Sequence, residues 1–318
     1  MPILKIFKSK PKRKDFLVLE IGLEKISAAI FEKEGPQIKL SGVGKKRYSS
    51  QEEVFDTVLE SLDSLAAIVP DFPTSGVLGI SGGSMQTITT IARYDRPHPS
   101  KPISLDETND ALHQVVDGLD TGEKKIFFST VAGADIDGVR VTNPIGLKGK
   151  AIQLSCFVAF KDKIEMEQLD RLMNEIDIKI EKVVPTSFIV AKVLEQKNLR
   201  DVLVFRVGVN KSELTVMIDG HVSEILPVSL GSAEPQLLPV AWEVAVKKFD
   251  KGKLPDLVWL FADSDQVDLE KIKELLTSYP WKETFNFQLD PRVEIAKGVQ
   301  NFSTSDIGIH LLSQQEAG

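Results

Sequence analysis

The stretch "VLVFRVGVNKSELTVMIDG", Val202 to Gly220, reads as a buried strand, a turn at Gly208, a second strand and a tight Asp-Gly hairpin. An earlier stretch, "FLVLEIGLEKISAAIFEKEG", Phe16 to Gly35, has the same layout. Glu20 falls on Arg206, Gly22 on Gly208, and Ala28 to Ile30 on Leu214 to Val216, all at one spacing. A unit repeated at a single long spacing means a duplicated lobe. The copies differ in one chemically important place: one has a carboxylate before its turn glycine and the other a guanidinium.

With 318 residues the chain exceeds one ordinary core, and 42% hydrophobic content is ample for two lobes or more. The single Cys156 sits in the apolar run "AIQLSCFVAF", where a thiol is a small buried hydrophobe that cannot staple the chain or hold a metal. One cysteine and the lack of a bilayer-length apolar stretch or a signal-peptide core suit a reducing cytoplasm. Net charge is −7, yet Met1 to Lys14 holds Lys5, Lys8, Lys10, Lys12, Arg13 and Lys14 and no acid. The rest of the chain then has 33 basic against 46 acidic residues, a balance of −13. So acidic a body argues against nucleic acid as partner.

After the tail (1–14), Phe16–Arg47 reads as three strands, and Val54, Phe55, Val58, Leu59, Leu62 and Leu65 recur at helical spacing behind a Ser50–Glu53 capping box. A strand at Val77–Ile80 follows. The proline-rich "RYDRPHPSKP" marks a boundary, then comes a helix with a Ser104–Glu107 capping box, the hairpin "ADIDGVRV", the turn-rich "TNPIGLKGK" and the strand around Cys156. A helix from Asp162 to Ile176 has Glu165 as its capping partner and Ile164, Leu169, Leu172, Met173 and Ile176 as its apolar stripe. These patterns divide the chain into a first lobe (15–96 and 181–200), an insertion (97–180), a second lobe (201–312, with 238–250 as a short insertion of its own) and a polar end (313–318). Asp268–Ser278 and Thr304–Leu312 read as helices within the second lobe.

A duplicated α/β lobe of three strands and a helix, with a glycine turn between its first strands, resembles the actin, sugar-kinase and Hsp70 superfamily. The expected fold class is therefore α/β, actin-like, with ribonuclease-H-like lobes. Within it "DGVRVTNPIGLKGKAIQLSCFVAF" is similar to the inserted subdomain of the cell-division protein FtsA, and "VVPTSFIVAKVL" also fits. The short apolar-basic leader before "VLEIG" is more like the related pilus-assembly protein PilM.

The resemblance implies an Mg-ATP site between the lobes, with an acidic residue before each turn glycine and hydroxyls after it. This chain departs from that pattern repeatedly. Leu23 and Glu24 follow Gly22, Arg206 stands at the second acidic position before Gly208, and Val184 precedes Pro185 where a polar group would face the attacking water. Asp263, Ser264 and Asp265 replace the Gly-Gly of the adenosine motif, and the subdomain that would pack on the nucleotide has shrunk to one helix. The expectation is a degenerate cleft of Glu20, Gly22, Arg206, Gly208, Asp263 and Ser264 with no catalytic residue, no ATP, no metal and no ATPase activity. Two readings of its central pair stay open: Arg206 and Glu20 face each other across the cleft, or Arg206 reaches solvent and Glu20 meets Lys25.

Other candidates carry plainer alternatives. "SGGS", Ser81–Ser84, could cradle a phosphate but lacks a P-loop lysine, so a flexible turn competes. His98, His113, His221 and His310 show no metal spacing. Asn143, Pro144, Gly146 and Gly149 form a rigid turn that, by similarity to FtsA, would touch another protomer or a partner. The tail places Ile3, Leu4, Ile6 and Phe7 beside Lys5 and Lys8, either a weak tether to an anionic leaflet or a solvated tail. The short polar C-terminus has no amphipathic anchor of the FtsA kind. The resulting expectation is a cytoplasmic FtsA-like scaffold at the inner face of a bacterial membrane, joining the division machine to a tubulin-like filament protein or to further copies of itself. The alternatives are a PilM-like scaffold that binds a pilus inner-membrane protein through a short peptide, and a divergent actin-fold ATPase.

Overall fold

The computed structural model describes residues 14–34, 37–69, 72–176, 178–247, 249, 254–281 and 290–296. The expected helix at Thr304–Leu312, the polar end 313–318 and tail residues 1–13 lie outside the described residues. Strands β1 (Lys14–Ile21), β2 (Lys25–Glu34) and β3 (Gln37–Arg47) form an antiparallel meander. Helix α1 (Val54–Ala66) covers it with Val54, Val58, Leu62 and Leu65, and returns the chain so that β4 (Ser75–Ile80) runs parallel to β1. Next come β5 (Gln86–Asp95), α2 (Leu105–Asp117), β6 (Lys124–Ile136), β7 (Val139–Val141) and β8 (Ala151–Asp162), whose strands make a separate antiparallel sheet in the order β5-β8-β6-β7. Helix α3 (Lys163–Glu175) leads to β9 (Lys179–Pro185), which completes the first sheet as β3-β2-β1-β4-β9, and α4 (Thr186–Gln196) crosses to the second lobe.

The second lobe repeats the first. Strands β10 (Val202–Val207), β11 (Ser212–Ile218) and β12 (His221–Val228) form the meander, followed by α5 (Leu238–Lys247), β13 (Leu257–Ala262), α6 (Leu269–Ser278) and β14 (Arg292–Ile295). The sheet order is β12-β11-β10-β13-β14, with the same two antiparallel and two parallel pairings as the first. Asp219-Gly220 and Asp137-Gly138 supply the left-handed pairs that two-residue hairpin turns need, with φ of 54° and 80° in one and 51° and 85° in the other. One apolar cluster joins all three bodies: Val18 and Phe31 of the first sheet, Phe188 and Val190 of α4, Val204 and Met217 of the second sheet, and Phe157 and Ala159 of the inserted sheet. Trp242 anchors α5; it is fully buried against Phe205 with ring centroids 3.9 Å apart, and its Nε1 donates to Ser212 Oγ at 2.9 Å.

Several local expectations need correction. The inserted sheet begins at Gln86, not at Pro97, because β5 pairs with β8 along its whole length. Helix α3 does not belong to the insertion: Met166, Leu169 and Leu172 bury themselves in the first-lobe core with α1. Its stripe is shifted accordingly, since Ile164 is 72% exposed and Met166 takes the inward place. The first-lobe return starts at Lys179, where β9 pairs with β4. Ser50 makes no cap bond because a short 3-10 turn, Gln51–Glu53, precedes α1, and the Glu53 carboxylate accepts from Ser49 N instead. Asp162 does not cap α3 either, and Glu165 pairs with Lys161. At α2 Ser104 Oγ accepts from Glu107 N at 3.1 Å, but the Glu107 carboxylate turns to Arg96 rather than completing the box.

Candidate functional site

The strand-turn-strand units place four chain ends in one cleft. Gly22 N donates to Lys25 O at 2.8 Å, and Gly208 N donates to Lys211 O at 2.8 Å, so the two turns close identically. Beside them, Ser81 N bonds Ile21 O at 2.9 Å and Asp263 N bonds Val207 O at 2.7 Å, which makes Ser81 and Asp263 counterparts at the ends of β4 and β13. Strand alternation then aims Glu20 and Arg206 inward from opposite lobes.

Arg206 does not reach solvent. It is 1% exposed, its Nη2 donates to Glu20 Oε1 at 2.7 Å, its Nε to Asp263 Oδ1 at 2.9 Å and its Nη1 to Ser81 Oγ at 2.5 Å. Burial opposes the charge on the guanidinium, but Asp263, Glu20 and Glu213 outweigh it and raise the Arg206 pKa above its ordinary value. Glu213, opposite Arg206 in the β10–β11 register, accepts from Ser187 Oγ and, at 2.9 Å, from Gly82 N. Burial pushes the Glu213 carboxyl up, against the pull of Arg206. The "SGGS" turn thus holds the protein's own Glu213 carboxyl group, with Gly82 and Gly83 at φ of 59° and 62°.

The lobes also exchange carboxylates at the two glycine turns. Glu24 crosses from the first lobe and accepts from Val209 N at 2.6 Å, Asn210 N at 2.9 Å and Asn210 Nδ2 at 2.6 Å. In return Asp263 Oδ2 accepts from Glu24 N at 3.1 Å. Both turn glycines are required by these approaches: a Cβ at Gly22 would lie 2.8 Å from Asp263 Oδ1, and one at Gly208 would lie 2.7 Å from Glu24 Oε2. Tyr48 pins the first turn, with its hydroxyl 2.7 Å from Gly22 O and 3.0 Å from Leu23 O. Burial, then Asp263, raises its pKa above the ordinary tyrosine value.

Backbone amides after a glycine turn are suited to phosphate oxygens. Here those amides hold Glu24 and Asp263, and a guanidinium occupies the space between the acidic positions, so the residues present fit Mg-ATP poorly. Among the described residues no group of three or more His, Cys, Asp or Glu could hold a metal ion. Val184 is buried in the shared core, and Ser264 Oγ only closes its local turn on Gln266 N at 3.3 Å. The crossing of Glu24 and the parts of Glu213, Ser187 and Tyr48 escaped the sequence reading, although Glu24 follows Gly22 as Asn210 follows Gly208, which hints at their meeting.

A groove of about 370 Å³, which shares Ser81 and Tyr48 with the cleft, opens between α1 and α3. Ile21, Val54, Phe55, Ile80, Leu169 and Leu172 supply its apolar lining, and Glu52, Lys161, Glu165, Arg171, Glu175 and Lys211 are the charged groups around it. The Asn143–Gly149 turn lies elsewhere, at the tip of the inserted subdomain. Asn143 Oδ1 accepts from Ile145 N at 3.0 Å, Gly146 has φ of 85°, and a Cβ at Gly149 would sit 2.2 Å from Ile136. The buried Arg96 organises that tip, donating to Lys101 O at 2.8 Å, Gly149 O at 3.2 Å and Pro102 O at 3.2 Å while paired with Glu107 at 2.7 Å.

Twin lobes with the same five-stranded order, glycine turns facing one another and a subdomain inserted in the first lobe define an actin-like fold, and this chain has it. A chain of the PilM-PilN type IV pilus biogenesis complex superposes with a TM-score of 0.59 at 12% identity, covering 95% of this chain and 98% of that one. A Bacteroides thetaiotaomicron protein with actin-like ATPase fold and unknown function superposes with a TM-score of 0.53 at 10% identity, covering 98% and 99%. No protein-family model matches the sequence, and no curated protein does.

Proposed function

We propose that this protein is a PilM-like adaptor of a bacterial inner-membrane machine of the pilus kind, working without nucleotide turnover. The observation that carries the reading is the exchange of carboxylates: Arg206 between Glu20 and Asp263, and Glu24 in the amides of the second turn, fill the space and bond the groups that Mg-ATP would use. An adaptor needs a stable shape and a docking groove, and the groove between α1 and α3 offers an apolar lining with charges of both signs around it for a short segment of a membrane protein. Between the two scaffold readings, pilus and division, the PilM likeness favours the pilus, because a superposition over 95% of the chain takes in the inserted subdomain whose motif suggested FtsA. No helix among the described residues is long and apolar enough to cross a membrane. A cytoplasmic body held at the inner membrane face by its partner, helped by Ile3, Leu4, Lys5, Ile6, Phe7 and Lys8, completes the proposal.

The test has two arms. Millimolar Mg-ATP should leave the thermal midpoint unchanged, since a ligand stabilises only above its dissociation constant; a rise of several degrees overturns the claim of a closed cleft. A photo-crosslinking residue at Gln168, on the groove, should capture an inner-membrane protein in the native host, and capture should fall when Leu169 is replaced by Asp. Capture of a tubulin-like division filament protein instead would return the reading to cell division.

A further inference from the structure

The inserted subdomain is fastened to the rest of the molecule at a junction the cleft does not use. Strand β5 lies along β12: Thr87 Oγ1 accepts from Ile225 N at 2.9 Å, and Thr89 Oγ1 donates to Val222 O at 3.0 Å. At the other end of this seam His221, 3% exposed, lies against the backbone of Gly133 in β6 so closely that a Cβ there would be 2.0 Å from the ring. Neither Nδ1 nor Nε2 of His221 has a hydrogen-bond partner, and Glu195 Oε1 nearby has none. Three bodies meet around the ring. From α4 come Lys192, which donates to Ala132 O at 3.1 Å and pairs with Glu195 at 3.0 Å, and Glu195 itself, packed on Gly220. From the β11–β12 hairpin comes Asp219, and from β7 Arg140, paired with it at 3.3 Å.

We propose that His221 is a protonation-gated latch holding the inserted subdomain on the body of the molecule. Two cations and two carboxylates balance around a neutral imidazole. A proton adds a third cation beside a buried ring where no acceptor is bonded to either nitrogen, and where the Arg140–Asp219 pair is itself half-exposed; release of the β6–β7 hairpin from His221 lets water reach the ring. Burial first, then Arg140 and Lys192, lowers the His221 pKa, against Glu195 and Asp219. The sign follows: the latched form is fully favoured above the ordinary histidine value of about 6.5 and loses ground as pH falls toward the lowered one, by at most about tenfold per pH unit for one proton.

Spin labels at Val139→Cys, on the exposed hairpin, and Lys197→Cys, at the end of α4, report the distance across the junction, while the buried Cys156 stays unlabelled. Between pH 7.5 and 5.5 a longer-distance population should grow several-fold in the otherwise native protein. It should not grow between the two pH values in His221→Phe, which keeps a flat ring on Gly133 and takes no proton, or in His221→Gln. Gly133→Ala should show the longer distance at both. Opening of His221→Phe or His221→Gln to the extent of the native protein, or an unchanged native distribution, overturns the latch.

Discussion

Replacing Arg206 by Met removes one cation from contact with Glu20 and Asp263, both at most 1% exposed. Breaking a buried ion pair by deleting one partner costs about 3–5 kcal/mol. A second limit comes from protonation: a stranded carboxyl with an ordinary pKa near 4 escapes by taking up a proton, at about 1.4 kcal/mol per pH unit, so it costs at most about 4 kcal/mol at pH 7. Two stranded carboxyls, sharing Ser81 and the Glu24 amide as remaining donors, give a loss of about 5 kcal/mol. That is a large part of a typical stability of about 5–15 kcal/mol. The mechanism also fixes the pH dependence. Protonation relieves a carboxyl stranded in a dry site, so the loss is greatest at high pH and shrinks as pH falls toward 5. Urea unfolding of the native protein and Arg206→Met at pH 7.5 and 5.0 measures this directly. The triple variant Arg206→Met, Glu20→Gln, Asp263→Asn should recover most of the loss and its pH dependence. A penalty below about 1 kcal/mol at pH 7.5, or one that does not change with pH, would refute the buried-pair reasoning.

Four further outcomes are expected. Glu213→Gln should gain stability relative to the native protein as pH rises above the ordinary glutamate value, because burial raises the native carboxyl; urea midpoints at pH 4.5 and 7.5 check the sign. Gly22→Ala should cost about 2–3 kcal/mol, since its methyl would press on the Asp263 carboxylate and Lys25 O, whereas Gly122→Ala, with no atom within 4 Å, tests only its left-handed φ of 56° and should cost about 1 kcal/mol. Trp242→Ala should lose about 3–5 kcal/mol by emptying the site under α5, read by thermal or urea unfolding. Sedimentation with anionic liposomes should fall between low and physiological salt and vanish on deletion of residues 1–13; equal binding without them removes the tether from the proposal.

The duplication was legible because it is local: Gly22 and Gly208 each sit between two apolar strands, and strand periodicity alone shows which side chains point into the cleft. The same alternation left Arg206 two courses, toward Glu20 or out to solvent, and the docking of the lobes decides for Glu20. Glu24, Glu213 and Tyr48 were not legible as a set because their bonds depend on how the lobes dock, a property of the shared core around Phe188 and Val204 rather than of any one segment. Strand β5 was overlooked because half its side chains are exposed and its "TITT" alternation lacks a large apolar face. Helix α3 reads from sequence as part of the insertion because it follows it in the chain, whereas Met166, Leu169 and Leu172 pack back on the first lobe.

The guanidinium at the centre of the cleft ties several positions of both lobes to one another. An acidic residue at position 206 while Glu20 and Asp263 remain would set three carboxylates together in a dry space, and a hydroxyl at position 24 would leave the Val209 and Asn210 amides without their acceptor. Each single change at the centre of the cleft therefore lowers stability unless its partners change with it. The buried charges behave as one unit: the groove and the surface can vary position by position, whereas Glu20, Glu24, Arg206 and Asp263 can be exchanged only together.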